Sequence, residues 1–123
     1  QFFAFAKTFK GGVSVAAGDV DGDGTDEIIV APSSIAGPQV KIFRKNGTLI
    51  SQFFAFAKTF KGGVSVAAGD VDGNGVTDII TGSGAGEKSQ VRVFSKKGKL
   101  LRQFPVFAST YLGGVQVVAG FSL

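Results

Sequence analysis

The sequence predicts an all-β fold built from four-stranded antiparallel blades of the β-propeller type. Three observations carry that reading. The segment QFFAFAKTFKGGVSVAAGDVDG occurs at Gln1–Gly22 and again at Gln52–Gly73 without one difference, which sets a period of 51 residues. Each period holds four short runs rich in β-branched and aromatic residues, punctuated by Gly, Pro, Asn and Asp, and no stretch has helical spacing with caps. Nineteen glycines and thirteen phenylalanines in 123 residues point the same way, toward tight turns and strands.

The first run, GGVSVAAGDV (Gly11–Val20), combines small and β-branched residues, as expected of a strand covered on both faces. An acidic loop separates it from EIIVA (Glu27–Ala31). After a loop of Pro, Ser and Gly comes QVKIFRK, in which Val40 and Ile42 alternate with Lys41. Asn46-Gly47, matched by Lys97-Gly98 in the second copy, predicts a two-residue hairpin turn. TLISQFFAFA (Thr48–Ala57) is the fourth run and leads into the next period.

On this pattern residues 1–10 form the outer strand of a preceding blade, 11–61 a first blade and 62–111 a second. Residues 112–123 belong to a partial third repeat that serves as a C-terminal cap strand. That third copy opens with QFPVFASTYLGGVQVVAG at Gln103 and has Phe121 where the first aspartate of the acidic loop stands in the others. This drift suits a terminal repeat, so Leu123 reads as lying near a true C-terminus. The chain has no Met, so Gln1 reads as a cut or processed end. Two blades cannot close a propeller of four to eight. The open edges are therefore expected to be met by other copies of the chain or by more chain.

Charge is distributed unevenly. The net charge is +4, yet eight of the nine Asp and Glu residues fall in two loops, DVDGDGTDE (Asp19–Glu27) and DVDGNGVTD (Asp70–Asp78). Carboxylates crowded in this way repel unless a cation sits among them. Asp19, Asp21 and Asp23 alternate, Glu27 follows four residues on, and glycines let the loop curl so that these side chains converge. Ca²⁺ takes six to eight hard oxygen ligands from carboxylates, backbone carbonyls and water. Thr25, between Asp23 and Glu27, would contribute its carbonyl. Both copies keep acids at positions one, three and nine. An EF-hand is excluded, because it needs a Glu at position twelve and flanking helices. The competing reading is a metal-free Asp-Gly hairpin with its acids in solvent.

FKGGVSVAAGDVDGDGTDEIIVA followed by GPQVKIF, and GDVDGNGVTDIITGSGAGEKSQVRVF, resemble the FG-GAP (VCBS-type) repeats of bacteria, related to the blades of the integrin α-subunit propeller. The resemblance implies a propeller blade with Ca²⁺ bound between its first and second strands, in extracellular proteins of adhesion or surface recognition. Transferred residue by residue, the ligands are Asp19, Asp21, Asp23, the Thr25 carbonyl and Glu27. In the second copy they are Asp70, Asp72, Asn74, the Val76 carbonyl and Asp78. Glu27 departs from the Asp usual at that position.

The expected function is therefore that of a secreted or cell-surface, calcium-binding repeat segment with a structural or adhesive role. The alternatives are a subunit of a self-assembling filament or ring, and a carbohydrate-binding propeller module. The basic residues concentrate on the third and fourth strands and their turn (Lys41, Arg44, Lys45, Arg92, Lys96, Lys97, Lys99, Arg102). They suit edge protection, or a rim for an anionic polysaccharide or cell-surface ligand. Nucleic acid is not an expected partner, since no recognition motif is present. Membrane insertion is not expected either, since no apolar run approaches ~20 residues. Catalysis finds no support: there is no His or Cys, and no serine in a nucleophile elbow. The glycine-rich IITGSGAGE (Ile79–Glu87) lacks the helix that a phosphate-binding loop needs. Asn46-Gly47-Thr48 matches the N-glycosylation pattern, although a turn already accounts for Asn-Gly. Phe53, Phe54 and Phe56 read as packing between sheets, with a ligand platform as the alternative.

Overall fold

Alternation at period two, with glycines at the turns, gives eight strands in two antiparallel sheets among the described residues. In the computed structural model the residues described are 12–32, 37–57, 60, 62–83 and 90–105. The strands expected within 1–10 and 112–123, and the glycine-rich loop at 84–89, lie outside them. The first sheet runs β1 (Val13–Gly18), β2 (Glu27–Pro32), β3 (Gln39–Phe43), β4 (Leu49–Phe54) in that spatial order. The second repeats it with β5 (Val64–Gly69), β6 (Asp78–Ser83), β7 (Gln90–Phe94) and β8 (Leu100–Pro105). Each strand pairs only with its sequence neighbours, which is the up-and-down order of a propeller blade. No helix occurs among the described residues.

The turn between β3 and β4 differs from the two-residue form. Gly47 N donates to Arg44 O (2.8 Å) and Arg44 N donates to Thr48 O (2.8 Å), so Lys45, Asn46 and Gly47 form a three-residue loop. Gly98 N to Ser95 O and Ser95 N to Lys99 O (both 2.9 Å) repeat it between β7 and β8. Only the third loop residue needs a left-handed backbone here, and Gly47 (φ 91°) and Gly98 (φ 82°) supply it. The two-residue forms require positive φ at the first loop residue, and type I′ at both, which Lys97 would resist. The register accordingly shifts at Ile42/Phe43 and at Val93/Phe94.

Strand partners share a face, so the pairings define which side of each sheet meets the other. Ser14, Ala16 and Gly18 of β1 stand opposite Ala31, Ile29 and Glu27 of β2. This side continues through Ile42 and Val40 to Phe53. It packs on the side of the second sheet that carries Val64, Val66, Ala68, Ile79 and Phe94, and one apolar cluster spans both sheets. Val66 N donates to Ser14 Oγ (3.0 Å), tying the two first strands together. After β4 the chain dips between the sheets: Ala55 N donates to Pro38 O (2.9 Å), and Phe56 meets Phe60 edge-on at 6.0 Å. Arg92 reaches into the same junction, donating from Nη1 to Ala55 O (3.0 Å) with its guanidinium 5.0 Å above the Phe56 ring. Phe53 and Phe56 thus serve packing, while Phe54 is exposed.

The expectation of a first strand covered on both faces needs correction for β1. Val15 is 61 % exposed, whereas its counterpart Val66, one repeat later in the identical strand VSVAAG, is 5 % exposed. The reason is position. The side of β5 that carries Val66 is covered by the first sheet, and no sheet among the described residues covers the same side of β1. The far side of the second sheet is open in the complementary sense, with Phe104 48 % exposed where Phe53 is packed.

Candidate metal centres in the β1–β2 and β5–β6 loops

Each acidic loop is a tight coil held by its own backbone. Gly22 and Gly24 (φ 75° and 87°), like Gly73 and Gly75 (φ 74° and 86°), take left-handed conformations that other residues resist. This curl aims successive amides at the first aspartate. Asp23 N and Gly24 N donate to Asp19 Oδ1 and Oδ2 (3.0 and 2.8 Å), and Asn74 N and Gly75 N donate to the two oxygens of Asp70 (3.1 and 2.7 Å). Asp23 N and Asn74 N also approach Asp21 and Asp72 (3.2 and 3.3 Å). The loops share this pattern although they differ at four of nine positions.

The ninth residue begins the next strand and points inward. Glu27 is 1 % and Asp78 4 % exposed. Glu27 Oε1 accepts from Val20 N (2.9 Å), and Asp78 Oδ2 accepts from Val71 N (3.1 Å). The longer Glu27 side chain therefore makes the backbone contact that Asp78 makes. Burial pushes both carboxyls above the ordinary carboxylate range, and the neighbouring charges (Asp21 and Asp23, or Asp70 and Asp72) add to the rise. Amide donors act the other way on the outer acids. The Thr25 amide, helped to a lesser degree by the Asp21 and Asp19 side chains and least by the Arg44 charge, lowers Asp23, and the Gly75 amide is the main cause that lowers Asp70.

The carboxylates converge. Asp19, Asp21, Asp23 and Glu27 each place an oxygen within 4.8 Å of the others, as do Asp70, Asp72 and Asp78. Asn74 follows the same course, its Oδ1 accepting from Val76 N (2.9 Å) as Asp23 Oδ1 accepts from Thr25 N (2.9 Å). Thr25 and Val76 are exposed at the outer turn of each loop. The donors are all oxygen, so the sites suit a hard divalent cation such as Ca²⁺ and not a thiophilic or imidazole-seeking metal. Two buried carboxylates also set the loops apart from hairpins whose acids all face water.

The two loops meet. Thr77 of the second loop donates from its amide to Asp19 O (3.4 Å). One residue here escapes sequence reading: Arg44 Nη1 lies 3.5 Å from Asp21 Oδ2 and 4.0 Å from Asp23 Oδ2. The only sequence signal is that the second repeat has Ser95 at that position. Asn46 is exposed in its turn, with Oδ1 accepting from Thr48 N (3.0 Å).

The family described as FG-GAP-like repeat matches residues 19–81, just over half of the chain and inclusive of both loops. No curated protein and no solved structure matches.

Proposed function

The chain belongs to the FG-GAP-like repeat family, and from that premise we propose that it is an extracellular, calcium-binding, propeller-type repeat segment with a structural and adhesive role. The observation that carries this reading is the recurrence, 51 residues apart, of a converging carboxylate cluster whose ninth member is buried. Burying Glu27 and Asp78 beside further negative charge costs stability, and a divalent cation offsets that cost. Asp19, Asp21, Asp23 and Glu27 would hold one ion, Asp70, Asp72, Asn74 and Asp78 the other, with the carbonyls of Thr25 and Val76 completing each shell. Residues at the end of β1 or β5 and at the start of the next strand would then hold the same ion. In this reading the role is non-enzymatic, since the chain has no His or Cys and its clustered carboxylates would be taken up by the metal. No helix among the described residues is long and apolar enough to cross a membrane.

A second reading joins the first. The open side of β1 carries the residues that the second repeat uses to pack on the first sheet, and the open side of the second sheet carries the counterpart surface. Further copies of this chain can therefore stack head to tail through the contact already present between its own sheets, giving a filament or ring.

Calorimetric titration with Ca²⁺, alongside electron microscopy with and without a chelator, tests both. Two sites are expected, one lost in Asp19→Ala and the other in Asp70→Ala, with ordered assemblies only in Ca²⁺. Absence of heat in all three proteins would overturn the metal reading, and dispersed monomers in saturating Ca²⁺ would overturn the assembly.

A further inference from the structure

We propose that Arg44 is a built-in competitor for the cation at the Asp19 loop, matching the effective charge of that loop's converging cluster to that of the cluster in the Asp70 loop. The inference rests on the metal reading above. Arg44 Nη1 stands 3.5 Å from Asp21 Oδ2 and 4.0 Å from Asp23 Oδ2, and both side chains belong to the converging cluster. An ion placed among these oxygens competes with the guanidinium for them and is repelled by its charge.

The second repeat lacks both halves of this arrangement. Asn74 replaces Asp23, and Ser95 replaces Arg44. Ser95 instead turns back on its own hairpin, where its Oγ accepts from Lys97 N (3.3 Å) and Lys99 N (3.2 Å). Within the converging clusters, the extra carboxylate and the extra cation thus occur together in one repeat and are missing together from the other. Among the converging side chains, four carboxylates less one guanidinium leave the first cluster with the net charge that three carboxylates give the second, and the fifth acid of the first loop, Asp26, is exposed and lies outside the cluster. Counting acids alone would rank the Asp19 loop above the Asp70 loop, and Arg44 removes that ranking.

Arg44 shares its surroundings with Asp21. It lines a cavity of about 260 Å³ whose other walls include Ile50, Lys96 and Lys97. The Arg44 side chain is 48 % exposed, so its pairing with the carboxylates is partly solvated and its effect on an incoming cation is correspondingly modest. A cation entering the loop must work against that pairing.

The test is Ca²⁺ titration of each loop alone, the first in an Asp70→Ala background and the second in Asp19→Ala, with Arg44→Ser, Arg44→Lys and Asp23→Asn/Arg44→Ser added to each. With native Arg44 the two loops should bind within about threefold of each other. Arg44→Ser should tighten the first loop roughly two- to fivefold and leave the second unchanged. Arg44→Lys, which keeps the charge, should stay near the native value, and the double variant should restore parity. The gain should shrink in 1 M salt, where the screening length falls to about 3 Å. Measurable binding that Arg44→Ser leaves unchanged or weaker would overturn this inference and leave the metal reading standing. Absence of binding at both loops would overturn both.

Discussion

Phe53 and Phe94 meet across the two sheets with ring centroids 4.7 Å apart and planes tilted by 44°. Phe53 comes from the outer strand of the first sheet and Phe94 from the third strand of the second, so the pair closes the outer end of the junction. Phe104 occupies the position of Phe53 one repeat later and has no sheet on its side among the described residues. Phe53→Ala should therefore cost about 2–3 kcal/mol in chemical denaturation, and Phe104→Ala under about 1 kcal/mol. Equal costs would mean that the sheets do not depend on this contact.

At the inner end the sheets approach too closely for any side chain on Gly18. A Cβ there would lie 2.7 Å from both the Ala68 Cβ and the Thr77 Cγ2. Gly18→Ala should cost about 1–3 kcal/mol through this overpacking, and Ala68→Gly added to it should recover part of the loss. Additive effects in the double variant would place the strain elsewhere.

Removal of Ca²⁺ should be felt by the whole fold. At free Ca²⁺ about a hundredfold above the dissociation constant, each occupied site adds roughly 2.7 kcal/mol, against a total of about 5–15 kcal/mol for a domain. Excess EGTA should lower the melting temperature markedly, and Asp19→Ala and Asp70→Ala should each remove about half of the Ca²⁺-dependent increment. A melting curve indifferent to EGTA would leave the ion without a structural role.

Strands and acidic loops are legible in the sequence because their signals are local. Val40, Lys41 and Ile42 announce their faces by alternation, and Asp19, Asp21 and Asp23 their convergence by spacing. What depends on contacts between segments distant in sequence is not legible. Arg44 lies in a hairpin two strands away from Asp21, and nothing in RKNG reveals that its guanidinium returns to that loop. Arg92 reads as one more edge cation, yet it is drawn between the sheets by a carbonyl and an aromatic ring. Identical copies of VSVAAG cannot say which one has a neighbour, because exposure of Val15 is a property of its surroundings and not of its side chain. The hairpin turned on a finer point: Asn-Gly serves both the two- and three-residue forms, and Lys97 in the sister turn favours the latter.

Stacking through the open faces has its own test. Val15→Lys places a charge where another copy would bury an apolar side chain, at a site exposed in the single chain. It should abolish Ca²⁺-dependent assemblies in sedimentation while leaving the melting temperature within a few degrees and both calcium sites intact. Persistence of the assemblies would show that copies meet by some other surface.

The difference between Val15 and Val66 also gives any such stack a direction. One end presents the Val15 side and the other the Phe104 side, so addition at the two ends involves different encounters and proceeds at different rates. A Val15→Lys chain still carries a native Phe104 side and can join a growing stack once, at the end that receives it. It then offers the next copy nothing to bind. Small amounts mixed with native chain should therefore poison elongation at one end only, shortening filaments well below the level expected from simple dilution.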